Sequence, residues 1–554
     1  MTNSFGSVVL PRVLATVIIA FAAAPGVAGA AEGDEAPQTF TVGGQIQTYT
    51  GLFIANDKNQ VDAEGFPTSH GGKEGKISIF RNTLRLDANW APYEGFNLHA
   101  IILGVRSAML DADRYAQVPE FTADLKYNDN ATVVDAKKRW ASERYYNYLD
   151  LRELYADIDV TKRLSLRVGR QQVTWGETGN YRLLDVINPT DNTWHLSPFE
   201  SFEDQRIPLW IFKALYDIPA LEGSLEFVWV PALDGDKMVT VPLTFVGAWG
   251  LPLGPKNLFV SDIRINQKYF LYPDRPFEDS RLGVRWKGVI GQFTYTLLYY
   301  WGHQISPPVP YYASQEKATR PDGYHYTDVY LNFPRQHIAG LSLEYAFNYP
   351  VGTVVRLESS VEPNRTYPVN SYLGPGYLPD GSGRWYQDPD RPDYLRADFH
   401  QDERLTVSYA VVLQQPLIIR FLNPTSSFIL QLQAMQTVVP EGGYVKDPKT
   451  GETNYNWFIL GIPGYDTTKV SAYSTTFVGA LLTNYLHGLL SPMIVSAYDI
   501  TYKSGFTRVE LRILPGDHWR FSVALAEIYG QDPYKGLGLF RDRDEVTLKA
   551  AYQF

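Results

Sequence analysis

The chain has 554 residues and a formal charge of −10, with 14% aromatic residues, 20% charged residues and no cysteine. The missing thiol excludes disulfide frameworks, thiolate metal sites, cysteine nucleophiles and a lipidated N-terminal cysteine. The acidic balance speaks against nucleic acid as a partner, because phosphate-binding chains carry a basic excess.

Residues 13–30, VLATVIIAFAAAPGVAGA, form an apolar run broken by Pro25 and closed by Ala28, Gly29 and Ala30, with Arg12 and the terminal amine at its positive end. This is the layout of an export signal over residues 1–30, cut before Ala31. Residues 31–554 are then expected to form one domain outside the cytoplasm. They hold no run near the ~18 uninterrupted apolar residues of a membrane helix. The exported chain is therefore soluble, secreted or a transmembrane barrel, and its strand pattern decides.

Leu84, Leu86, Ala88 and Trp90 alternate with Thr83, Arg85, Asp87 and Asn89, and Leu154, Ala156, Ile158 and Val160 with Glu153, Tyr155, Asp157 and Asp159. A period of two puts each set on one face of a strand. Segments of about ten residues are what a tilted strand needs to cross a bilayer. The alternation then breaks: Arg170 and Gln172 share the parity of Leu166 and Val168, opposite Arg167. Either Gly169 is a bulge that flips the register and swings Arg170 inward, or the strand has left the membrane by Arg170.

The stretches RVGRQQVTWGET (167–178), DVINPTD (185–191) and FEDQRIPLW (202–210) resemble a family of exported Gram-negative barrels catalogued as domain of unknown function 1302, most densely over residues 150–232. The resemblance implies a porin-like outer-membrane architecture and carries no substrate or catalytic residue. Within this region, residues 177–206 contain Tyr181, Leu183, Leu184, Val186, Ile187, Trp194, Leu196, Phe199 and Phe202, too many apolar groups to leave in water. The segment either caps its neighbours as an external lid or bends into the barrel and narrows it. In the second case Asp185, Asp191, Glu200, Glu203 and Asp204, with Trp194 beside them, form a constriction opposite a basic wall, where a transverse field orients dipolar solutes.

Alternation resumes downstream. Leu282, Val284 and Trp286 oppose Arg281, Arg285 and Lys287; Leu341, Leu343 and Tyr345 oppose Ser342 and Glu344; Val355 and Leu357 oppose Arg356 and Glu358. Val509, Leu511 and Ile513 oppose Arg508, Glu510 and Arg512, and Phe521, Val523 and Leu525 oppose Arg520, Ser522 and Ala524. Short connections at 91–95, 161–164, 348–352 and 514–518 carry turn residues, whereas 107–146, 231–280, 303–336 and 362–402 are long, polar and rich in Pro, Gly, Asp and Tyr. Strand length, alternate long loops and charged inward rows oppose a soluble sandwich. The expected fold is an all-β transmembrane antiparallel barrel of about 18 strands, or 16, with short periplasmic turns and long extracellular loops.

The inward rows place Arg81, Arg85, Arg167, Arg281, Arg285, Lys287, Arg356, Arg404, Arg508, Arg512, Arg520 and Lys549 against Asp87, Glu153, Asp157, Asp159, Glu344, Glu358, Glu510 and Glu545, a net basic lining in an acidic protein. These charges either brace the wall in cross-strand pairs or guide solutes. No histidine pair at i, i+4, no G-x-S-x-G elbow and no phosphate-cradling loop occurs, so no catalytic residue, metal or cofactor is expected. A barrel this wide leaves an aqueous channel unless loops fill it. The expected function is passage of small organic or anionic solutes across the outer membrane. A non-conducting adhesin or assembly scaffold is the alternative, and an outer-membrane hydrolase is a third.

The chain stops on EVTLKAAYQF, with Val546, Leu548, Ala550, Tyr552 and Phe554 on one face. This end resembles the assembly signal of Gram-negative outer-membrane proteins, with Tyr552 and Phe554 as its residues. It implies outer-membrane lipid and the assembly machinery as partners.

Overall fold

The computed structural model describes residues 39–54, 75–107, 146–178, 183–191, 194–195, 199–231, 263–271, 275–304, 309–318, 325–347, 352–369, 386–389, 391–398, 400–440, 444–446, 453–455, 472–531, 536–541 and 543–554. The expected export signal lies outside them, as do Tyr181 and Leu196.

Eighteen strands form one sheet. The first nine are β1 (Thr39–Phe53), β2 (Ile77–Tyr93), β3 (Phe96–Arg106), β4 (Tyr148–Asp159), β5 (Leu164–Gln171), β6 (Leu209–Ile218), β7 (Gly223–Val230), β8 (Arg281–Ile290) and β9 (Phe293–His303). They continue as β10 (Arg335–Phe347), β11 (Thr353–Val369), β12 (His400–Leu417), β13 (Phe428–Val438), β14 (Tyr473–Leu482), β15 (Leu490–Asp499), β16 (Ser504–Ile513), β17 (Trp519–Gly530) and β18 (Glu545–Gln553). Each strand pairs antiparallel with the next, and β18 pairs with β1, so the sheet closes and no edge remains.

Alternation sets the two faces. Val284, Val509, Val523 and Leu548 stand exposed on the outside, while Ala524, Ala526 and Thr547 on the opposite parity are buried. Aromatic side chains gather on the outer face at the short-turn end: Trp519 stacks on Phe521 and meets Tyr552 edge-on at 5.0 Å. Such a cluster suits the interface level of a bilayer.

Eight short connections lie at that end, together with both ends of the barrel strand series. The opposite end carries the long ones, apart from the tight turn between β15 and β16. The long polar connections there carry strands of their own. Ile263–Leu271, Val309–Glu316, His325–Asn332, Tyr386–Gln387 and Tyr394–Asp398 make a second, five-stranded sheet, in which Ile263–Leu271 runs parallel to His325–Asn332. Tyr312, Tyr330, Tyr386 and Tyr394 lie in these strands, and so does Pro310.

Candidate functional site

The site is built by the connection between β5 and β6. Gly169 has φ +137°, and a Cβ there would lie 2.2 Å from the Leu154 carbonyl oxygen, so only glycine fits. Pairing passes through it without insertion, with Tyr155 and Ile211 opposite, so it is not a bulge. The bulge lies on β4 instead: Ile101 faces Glu153, Ile102 faces Leu151, and Arg152 is the extra residue. Past Gly169 the buried Arg170 is ion-paired to Asp150 at 3.0 Å, and Gln172 donates to Glu153 at 3.0 Å and to the Glu203 carbonyl at 3.1 Å. Arg170 and Gln172 are thus bonded to Asp150 and Glu153 on the neighbouring strand, with no extra residue in β5.

The first half of the connection packs on the wall from β7 to β11. Trp175 is buried, donates from Nε1 to Glu226 at 2.5 Å and lies edge-on to Tyr300. Glu358 accepts from the backbone of Glu177 and, at 3.0 Å, from the Thr178 hydroxyl. Lys287 pairs with Glu177 at 2.9 Å, and Leu184 sits where a Cβ on Gly340 would come within 2.6 Å of it.

The second half crosses to β1, β2, β16 and β18. Trp194 meets Tyr146 edge-on at 4.8 Å and lies 5.3 Å from the Arg81 guanidinium. His195 Nε2 and Glu545 Oε1 are 2.5 Å apart, both side chains fully buried, and Ser78 donates to the other Glu545 oxygen at 2.6 Å. Phe199 meets Phe506 edge-on, and its carbonyl accepts from Arg508 at 3.1 Å. A single helical turn, α1 (Phe202–Gln205), follows, capped by Ser201, whose hydroxyl accepts from the Asp204 amide at 3.2 Å. The described parts of this connection thus contact wall side chains on both flanks of its own strands.

The acids expected to face the wall across a gap are bonded instead. Glu200 pairs with Arg81 at 2.9 Å, Glu203 with Arg85 at 3.1 Å, and Asp185 with Arg206 at the connection's own end at 2.7 Å. Asp204 accepts from the Ser201 hydroxyl, and the Asp191 amide donates to the Gln205 carbonyl. Burial alone would raise the Glu200 pKa, but Arg81, Lys549 and His195 hold it down to about 2. Direct pairing cancels much of the transverse field that separated charges would give.

The wall charges are paired in the same way. Arg167 meets Asp157 at 2.5 Å, Arg85 meets Asp87 at 2.9 Å, Arg285 meets Glu226 at 3.1 Å, Arg356 meets Glu344, and Glu510 bridges Arg508 and Arg512. Arg281 and Arg508 are buried beneath the connection rather than open to the lumen. Lys213, Glu226 and Glu362 also carry charge on this side and were missed. On β7, both parities are apolar around Glu226, so alternation gave no signal; His195 and Ser78 gave none either, because their roles depend on Glu545 across the barrel.

One row holds three cations and no carboxylate of its own. Register puts Arg512, Ser522, Lys549, Tyr49 and Arg81 side by side on β16, β17, β18, β1 and β2. Lys549 Nζ lies 4.1 Å from the Tyr49 ring centroid, and neither it nor the exposed Arg520 one level nearer the short turns has a carboxylate within ion-pair distance among the described residues. The Arg512 side chain is 54% exposed. By contrast the inward rows of β12 to β14 hold mostly Thr, Ser, Ala, Val and Gln, as in Thr406, Ser408, Ala410, Val412, Gln431 and Gln433.

A family model described as "Protein of unknown function (DUF1302)" matches residues 12–554. No curated protein matches the chain. Among solved structures, the chain is similar to OccAB3 of Acinetobacter baumannii, with 9% identity, 93% of this chain and 99% of that chain covered, and a TM-score of 0.45. It is also similar to OccK1 (OpdK) of Pseudomonas aeruginosa, with 10% identity, 93% and 98% covered, and a TM-score of 0.42. OccK2 (OpdF) of Pseudomonas aeruginosa, solved in complex with glucuronate, is similar at 9% identity, 93% and 98% covered, and a TM-score of 0.42.

Proposed function

The chain belongs to the DUF1302 family, and from that premise and its barrel we propose that it is an outer-membrane channel for small organic or anionic solutes. The observation that carries this reading is the inward row from Arg512 through Lys549 to Arg81, joined at its Arg81 end to the β5–β6 connection. A closed barrel with an apolar outer face suits lipid, and eighteen strands enclose more space than side chains from the wall alone fill. Paired charges brace the wall, and the unpaired cations of Lys549 and Arg520 remain to attract a carboxylate or other anion. The ring of Tyr49, fully buried between Lys549 and Arg81, holds the Lys549 ammonium in place.

The pore-lining role falls chiefly to Arg512, Arg520 and Lys549, with Lys287 on the far wall, whereas Arg81, Arg281 and Arg508 serve the connection. The test is current through the purified full chain in planar bilayers under a salt gradient. The expected result is an anion-favouring reversal potential that moves toward zero in a variant carrying Arg512→Gln, Arg520→Gln and Lys549→Gln. A silent but correctly folded barrel would favour the surface-protein reading, and turnover of lipid or peptide would favour the hydrolase.

A further inference from the structure

The outer face carries a groove of about 450 Å³ that no part of the channel reading uses, lined by Phe227, Leu282, Val284, Tyr299, Trp301 and His337. It lies just below the long-loop rim, since the His303–Arg335 pair is the last rung before the connection from β9 to β10. Its walls are apolar, and its upper edge is not. Tyr299 Oη and His337 Nδ1 are 2.6 Å apart. Arg335 lies over the Trp301 ring at 4.3 Å, with Nη1 donating to the Ser280 carbonyl and Nη2 to the Glu278 carbonyl, each at 2.7 Å.

These contacts hold the guanidinium in place without neutralising it, for among the described residues no carboxylate lies within ion-pair distance of Arg335. Stacking on an indole and bonding to two fixed carbonyls leave a preorganised positive charge at the rim of an apolar slot. The aromatic cluster at the opposite rim, around Trp519 and Tyr552, has no guanidinium over its rings among the described residues, so an interface belt does not require one. An alkyl chain complements the slot and an anionic oxygen group complements the arginine, and one molecule carries both.

We propose that this groove binds one acyl chain of a phosphorylated glycolipid of the outer leaflet, with its phosphate on Arg335. The inference rests on the reading of the barrel as an outer-membrane protein, and not on its conducting solutes. Free phosphate would meet the arginine but leave the slot empty. A neutral lipid would fill the slot but leave the arginine without an anion.

The test is native mass spectrometry of the full chain released from detergent micelles containing equal amounts of bis-phosphorylated lipid A and its dephosphorylated form. The wild type is expected to retain the phosphorylated form about tenfold more, a factor that one charge-assisted contact can supply. Arg335→Gln should abolish the preference, Arg335→Lys should keep part of it, and Val284→Trp, which fills the slot, should lower retention of both lipids. Heat-modifiable migration on gels selects the folded variants. Equal retention of the two lipids by the wild type, an unchanged preference in Arg335→Gln, or displacement by inorganic phosphate alone would each overturn the proposal. Bilayer current in Arg335→Gln should match the wild type. A silent barrel that still discriminates the lipids would therefore refute the channel alone.

Discussion

At the scale of single residues, the Arg81–Glu200 pair shows how the connection is held. Both side chains are nearly removed from water, at 11% and 4% exposure, so deleting one partner leaves the other buried and unpaired, a cost of about 3–5 kcal/mol in such sites. Arg81→Gln and Glu200→Gln should each loosen the connection, seen as larger open-channel noise and faster proteolysis within 177–206. The double change to apolar residues should restore much of the quiet state, and equal damage in singles and double would mean that the pair is not coupled. Glu200 also sets a pH dependence. Its folded pKa lies below the ordinary value of 4.5, at about 2. The stabilisation is therefore present in full above about pH 4.5 and is lost as pH falls through about 2. Conductance should stay level from pH 7 to 5 and change between pH 4 and 2, with this change absent in Glu200→Gln. A transition near neutral pH would assign the control to another group.

At the scale of elements, the apolar residues of the β5–β6 connection find partners on two parts of the wall: Trp175 with Tyr300 on one side, Phe199 with Phe506 on the other. Removing Tyr181 to Asp204 should raise single-channel conductance severalfold and relax solute preference. A shortened protein that inserts normally and conducts as before would place the narrowing elsewhere. The turn into this connection depends on Gly169, where an added Cβ meets the Leu154 carbonyl at 2.2 Å. Gly169→Ala should reduce the heat-modifiable barrel while export continues, since backbone on a neighbouring strand cannot move aside as a flexible side chain can.

At the scale of the whole molecule, closure decides stability, and the chain end makes the closing seam. Gly44 and Phe554 exchange backbone hydrogen bonds of 2.9 and 3.0 Å, one rung beyond the last β18 pair, Gln553 with Gln45. The Phe554 ring lies over Gly44, where a Cβ would come within 2.6 Å of it. Deleting Phe554 should lower the amount of heat-modifiable barrel in the outer membrane without blocking export, and Gly44→Val should do the same by pushing the ring away. Normal assembly in both would show that the seam closes without this last rung.

Alternation along the chain was enough to indicate an antiparallel barrel of about 18 strands, with 16 left open, and to assign the charges from Arg85 and Asp87 on β2 to Lys549 on β18 to one face. A period of two is a local property of a strand with one face in lipid, and it survives in the sequence without knowledge of neighbours. The same local reasoning detected the disturbance at Gly169 but not its form, because the extra residue sits on β4, across a pairing that sequence does not display. Turn-rich loops concealed the second sheet for a similar reason: its strands come from three separate connections and pair only when the barrel brings them together. Most of all, sequence supplied the charges and the tertiary structure decided which were spent. Arg81 meets Glu200 across 119 residues and His195 meets Glu545 across 350, and only those long-range contacts distinguish a guanidinium that anchors a connection from one, such as Arg520, left exposed.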